Sequence, residues 1–237
     1  MIINVFLLCY NESVLLPHTI NHYKQLIPSC RITIYDNESN DNSVEIARNL
    51  GCNIVSWSSN NAVDDHKYIE IKNNCWKCVP EGWVIVADMD EWLYITENDL
   101  KNEFNESTSI LQTNGLDIIG ESNTTDLSDV NLSEIKKYLP NEKISKKICF
   151  LREKFTEINY EIGAHNCNPH GHIKFSENIY NIKHMSHLGI PFLVNKMIKR
   201  YERSEIMRSQ GLATHYTNDI EKIKSDYNYF LSCSSHF

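Results

Sequence analysis

Trp83-Val84-Ile85-Val86-Ala87-Asp88-Met89-Asp90-Glu91-Trp92 is an unbroken apolar run that ends in an acidic cluster. A short run rich in β-branched and aromatic side chains, with no polar alternation, is the pattern of a strand buried on both faces. Successive side chains of an extended chain point to opposite sides, so Asp88 and Asp90 share one side and Met89 packs on the other. Two carboxylates set that close repel one another unless a cation lies between them. Hard oxygen ligands favour Mn2+ or Mg2+, which keep open positions for phosphate oxygens.

The same strand pattern occurs upstream at residues 2–8 (IINVFLL), 32–35 (ITIY) and 53–57 (NIVSW). Helical periodicity fills the intervals. Asn11 is the expected cap of a first helix, with Pro17 in its first turns and Leu16, Ile20, Tyr23 and Ile27 on one face. Asn42 or Ser43 opens a second helix, ended by Gly51. A third carries the stripe Tyr68, Ile71, Lys72, Cys75 and Val79. Strands alternating with helices give right-handed crossovers and a mostly parallel sheet through about residue 95. Such sheets take ligands at the carboxyl ends of their strands, where the polar clusters Asn11-Glu12, Asp36 to Asp41 and Asp88 to Glu91 all fall.

Beyond residue 95 the pattern weakens. Leu116 to Ile119 reads as one more strand within a stretch rich in Thr, Asn, Asp and Ser, and the lysine-rich segment 132–147 reads as solvent-facing. Phe192 to Met207 reads as a last amphipathic helix, followed by a polar C-terminal helix or coil at 219–237. The expectation is a single domain over 1–237, with a nucleotide-binding half (1–95) and an acceptor-binding half (96–237).

Composition narrows the function classes. With 237 residues, 31 acidic against 23 basic side chains and a net charge of -8, the balance argues against a dedicated nucleic-acid binder and leaves room for a local basic patch. The run at 2–8 has neither a basic leader nor a cleavage site, and no stretch reaches the roughly 20 apolar residues of a membrane span. A cytoplasmic setting with its eight cysteines reduced is the corresponding expectation.

The three strand-end clusters, Cys9-Tyr10-Asn11-Glu12, Asp36-Asn37-Glu38-Ser39-Asn40-Asp41-Asn42-Ser43 and Asp88-Met89-Asp90-Glu91-Trp92, together resemble the glycosyltransferase family 2-like enzymes of GT-A fold. The resemblance covers roughly the first 95 residues. It implies an α/β, Rossmann-like fold with a mixed, mostly parallel sheet flanked by helices. It also implies transfer of a sugar from a UDP- or GDP-linked donor to a hydroxyl of a glycan or protein acceptor, with Mn2+ or Mg2+ as cofactor. Carried onto this chain, Tyr10, Asn11 and Glu12 would border the nucleoside, and Asp36 and Asn37 would lie at the base or ribose. Lys67 and Lys72 would meet the diphosphate, and Asp88 would hold ribose or metal. Asp90 would hold the metal, and Glu91 would order the ligands. His184, followed at the family's spacing by Phe192 and Lys196, would be the third metal ligand, with His187 next in line. This chain has Met185 where the family usually has tyrosine. For the base that takes the acceptor proton, Glu121, Glu161 and His165 are all candidates.

Two other classes use parts of this sequence. A nucleotidyl- or phosphotransferase would use the same acidic edge, but no phosphate-cradling glycine loop is present. A non-catalytic nucleotide-sugar or zinc-binding module would use Cys75-Trp76-Lys77-Cys78 or His165, Cys167, His170 and His172, neither of which has a clear partner motif.

Overall fold

The computed structural model describes all 237 residues. The first half follows the expected alternation. Strand β1 (Ile3–Cys9) leads to α1 (Leu16–Leu26), β2 (Arg31–Asp36), α2 (Ser43–Asn49), β3 (Asn53–Ser56), α3 (Asp65–Asn74) and β4 (Trp83–Asp88). Strand β1 pairs in parallel with β2 and β4, and β2 pairs in parallel with β3. Every residue of β1 is buried, consistent with a central strand covered on both faces.

The second half turns the sheet into a mixed one. After β5 (Glu91–Leu93) and α4 (Glu97–Asn105), the long β6 (Ile110–Ile119) is followed by β7 (Lys137–Pro140), β8 (Cys149–Leu151) and a small hairpin of β9 (Phe155–Glu157) with β10 (His170–Gly171). Strand β11 (Phe175–His187) leads into α5 (Ile190–Arg203), α6 (Glu205–Ser209), α7 (Ile220–Cys233) and β12 (Ser235–His236). The order across the sheet is β12-β7-β6-β8-β4-β1-β2-β3. Strand β8 is antiparallel to β4, whereas β11 runs parallel to β6 and antiparallel to β5. A core of 25 buried residues centred on Ile3, Val5, Leu7, Tyr23, Trp83 and Ile85 fills one side of the sheet, and a second cluster around Phe6, Trp76 and Phe150 fills the other.

Three expectations are corrected. Helix α1 starts at Leu16, four residues after the expected turn, because Asn11 has φ 52 and spends its carboxamide on Asn40 instead of capping. The helix expected over Phe192 to Met207 runs Ile190–Arg203 and breaks at Ser204 before the short α6, and it is not the last, since α7 follows and buries Ile223 and Tyr227. The lysine-rich segment is not wholly solvent-facing: Lys146 is 3% exposed, drawn inward by a buried carboxylate described below.

Gly189 places α5. Its φ is 146, and a Cβ there would lie 2.2 Å from the Ser122 carbonyl oxygen, a contact that only a glycine avoids. All eight cysteines are unpaired, and no helix is long and apolar enough to cross a membrane.

Candidate active site

The carboxyl ends of β1 and β4, the start of α3 and one face of α5 enclose a cleft of about 310 Å3. Of the residues singled out in the sequence, Tyr10, Asn11, Glu12, Lys72, Asp88 and Asp90 line it. Ser39 and Ser43 accept from the backbone N–H groups of Asn11 and Glu12, each at 2.8 Å, and so hold the end of β1 against the turn that follows β2.

Asp88 and Asp90 are each met by cations. The Lys72 ammonium lies 2.8 Å from Asp88 Oδ2, and Lys146 lies 3.9 Å from the same oxygen. Lys146 also donates to Glu91 Oε1 at 2.5 Å, with both side chains almost wholly buried. Glu91 thereby locks the acidic turn. Asp90 is buried with Lys196 Nζ at 2.5 Å, His184 Nε2 at 3.6 Å and Arg200 at 3.6 Å, all measured to Oδ2. Burial disfavours both aspartate charges, yet the surrounding cations outweigh it. Lys196, His184 and Arg200 hold the Asp90 carboxyl well below its usual range, and Lys72 and Lys146 lower that of Asp88.

The register of β11 explains how His184 arrives. It pairs with Asp117 of β6 on one side and with Glu91 of β5 on the other. Its Nδ1 lies 2.6 Å from Asp117 Oδ1, and Asn141 donates to Asp117 Oδ2 at 2.8 Å. Burial would neutralise the imidazole, but the two carboxylates reverse that and push its pKa up to about 9. His187 has a different environment. Its Nδ1 meets the Ser186 hydroxyl at 2.7 Å, its ring packs edge-on against Phe230, and burial pushes its pKa down to about 4.

Other expected site residues are placed outside the cleft lining. Asp36 is 3% exposed beneath it, with Oδ1 buried and without a hydrogen-bond partner. Such an orphaned acceptor is costly unless something donates to it. The Asn37 carboxamide is taken up by Ser59 and Tyr68, and it fixes the loop that follows β3. Lys67 donates to the Ser58 carbonyl at 3.0 Å. Of the three candidate bases, Glu121 is an exposed partner of Lys137, and Glu161 accepts from Asn166. His165 rests against the Lys143 carbonyl at 2.6 Å. None of the three lines the cleft, although Gly163, two residues before His165, does.

Sequence reading did not assign roles to Asp117, Lys146 or Arg200. Asp117 carries a visible signal, a lone acid inside an apolar strand. Arg200 lies one turn beyond Lys196 on α5. Lys146 carries no local signal that separates it from neighbouring lysines.

Asp90 and His184 suit a hard divalent cation. An imidazole whose second nitrogen is fixed by a carboxylate, as by Asp117, is the usual support of a metal-ligating histidine. No three His, Cys, Asp or Glu side chains gather into a closed metal cage. Mg2+-type ions need none, since they bind through one or two protein ligands together with substrate phosphates and water. Asp88 is instead turned toward Lys72. Neither the Cys75-x-x-Cys78 pair nor the histidine-rich stretch at 165–172 forms a metal cluster.

No family model matches the chain. Over 54 residues it is 35% identical to protein RfbJ of Shigella flexneri, an alignment covering 23% of this chain and 42% of that protein. The chain thus spans less than half the length of this curated relative. Among solved structures it is similar to S. aureus TarS, with a TM-score of 0.49 at 12% identity over 98% of this chain and 44% of that one. A TarS 1-349 structure in complex with UDP-GlcNAc gives a TM-score of 0.44 at 14% identity, over 97% of this chain and 72% of that one. Glucosyl-3-phosphoglycerate synthase from Mycobacterium tuberculosis, in complex with Mn2+, UDP and glucosyl-3-phosphoglycerate, gives 0.34 at 15% identity over 48% and 44% of the two chains. These likenesses are too distant to assign a family.

Proposed function

We propose that this chain is a metal-dependent glycosyltransferase that moves a sugar from a UDP- or GDP-linked donor to a hydroxyl of a glycan or protein acceptor. The observation that carries the reading is the meeting of Asp90 with the Asp117-supported His184 at the carboxyl edge of the parallel strands, in a cleft also lined by Tyr10, Asn11, Glu12 and Asp88.

In this reading Asp90 and His184 hold Mn2+ or Mg2+. When bound, the ion neutralises charge that grows on the departing diphosphate. The chain's own residues do the rest. Tyr10, Asn11 and Glu12 border the nucleoside, and Asp36, buried outside the cleft lining, shapes the turn after β2 by accepting from the Ser39 backbone N–H. Asp88, steered by Lys72 and Lys146, would take a ribose hydroxyl or help to hold the metal ion. Glu91 keeps Asp88 and Asp90 on one side of the turn by accepting from Lys146 and from the Asp88 backbone N–H. Glu121, Glu161 and His165 stand off the cleft wall, so none of the three is placed to take the acceptor proton, whereas the carboxylates of Glu12, Asp41 and Asp65 line the cleft.

Purified protein is expected to hydrolyse a UDP- or GDP-sugar slowly in the presence of Mn2+. Asp90→Ala is expected to abolish that reaction while the protein remains folded by circular dichroism. Full activity in a folded Asp90→Ala variant would refute the metal assignment.

A further inference from the structure

Helix α5 presents Phe192, Asn195, Lys196, Lys199, Arg200 and Arg203 to the cleft. These positions recur at three- and four-residue steps, so they form one continuous helical face. Four of the six are cationic, in a chain whose net charge is -8.

Their partners differ. Lys196 is committed to Asp90 at 2.5 Å. Arg200 has five N–H donors, yet its side chain makes one protein hydrogen bond, to the Tyr216 hydroxyl at 3.2 Å. Its distances of 3.6 Å to Asp90 and 4.0 Å to Glu12 are longer than charge-assisted hydrogen bonds. Lys199 has no carboxylate within 4.0 Å and no side-chain hydrogen bond; it is exposed at the cleft rim. Arg203 lies over the Tyr10 ring and donates to the carbonyls of Asn61 and Ala62, so it serves the cleft wall. Two cations therefore face the cleft with unspent donors, Arg200 and Lys199.

We propose that Arg200 and Lys199 bind the diphosphate of the donor directly, so that nucleoside diphosphate is held even without a divalent cation. This rests on the reading of the cleft as a nucleotide-sugar site. A guanidinium matches two phosphate oxygens at once, and an ammonium adds a point charge. Tyr216 holds the guanidinium in place through its hydroxyl. The two charges approach the cleft from α5, whereas Asp88, with Lys72 beside it, approaches from β4. The diphosphate is then flanked from both sides and depends on the metal ion only for part of its neutralisation.

The test is calorimetric titration of UDP and GDP into the full chain, with Mn2+ and separately in EDTA. Wild type is expected to bind one of them in both conditions, more weakly in EDTA. Arg200→Met and Lys199→Met are each expected to weaken the EDTA affinity by about 10- to 100-fold, the loss of one charge-assisted contact. Arg200→Lys is expected to recover part of it. Lys199 makes no side-chain hydrogen bond, so its variant is safe from misfolding. Binding in EDTA that neither Met variant weakens would overturn the proposal, as would wild-type binding that requires Mn2+ absolutely; the latter leaves the glycosyltransferase reading standing. No nucleotide binding in either condition would remove both.

Discussion

Replacing Lys146 with methionine isolates the ion network beneath the acidic turn. Lys146 Nζ is 2.5 Å from Glu91 Oε1, and the two side chains are 4% and 3% exposed. Lys146→Met keeps most of the aliphatic stem and removes the charge, leaving the Glu91 carboxylate buried without a cation on that oxygen. Breaking a buried pair from one side costs about 3–5 kcal/mol. For a chain of this size, about 2–4 °C of melting temperature accompanies each kcal/mol, so a fall of about 6–20 °C is expected. The partner variant Glu91→Met is expected to destabilise comparably. The double variant is expected to be much less destabilised than the sum of the two, because an apolar pair of similar volume replaces the ionic one. Urea and thermal unfolding of all four proteins measure this cycle. A loss below about 1 kcal/mol in Lys146→Met, or strict additivity in the double variant, would refute the claim that this pair locks the turn.

Further outcomes follow from other contacts. Asp117→Asn should keep the fold but reduce Mn2+ affinity by about 10- to 100-fold, read by Mn2+ electron paramagnetic resonance; unchanged affinity would mean that His184 needs no support or binds no metal. His22 is stacked on Trp92, its Nε2 is 2.9 Å from the Leu93 carbonyl, and burial pushes its pKa down to about 4. Its contribution to stability is therefore fully present above the unfolded histidine value of about 6.5 and is lost as pH falls through about 4. His22→Gln retains a donor for Leu93 without titrating, so its melting temperature should fall less steeply than wild type between those pH values; parallel curves would contradict this. Asn37→Ala should release the loop after β3, raising amide exchange at Ser59 to Ala62 and costing about 1–3 kcal/mol.

The first half was legible because its strands are buried on both faces and its helices carry regular stripes, so periodicity alone separates them. The second half resisted for physical reasons. Strand β11 has an exposed, polar first portion, its burial supplied only where β5 and β6 flank it. Strands β7, β8 and β9 are three or four residues long, too short for any period to show. In the site, Asp88 and Asp90 were visible from strand alternation, and His184 only through the family resemblance that its spacing to Phe192 and Lys196 implies. Asp117 reaches the site through strand pairing, with only its lone charge in an apolar strand to mark it, and Lys146 reaches it through a buried ion pair that leaves no trace in local spacing. Of the candidate bases, Glu121 follows an expected strand, His165 rests on the family resemblance and Glu161 on residue type alone, none of which says which way a loop carries its side chains.

The most direct test is a crystal structure of the chain soaked with Mn2+ and UDP or GDP. One metal ion is expected to touch Asp90 and His184 and the diphosphate, with the nucleoside against Tyr10 and Asn11. Metal bound away from both residues, or nucleotide density outside this cleft, would contradict it.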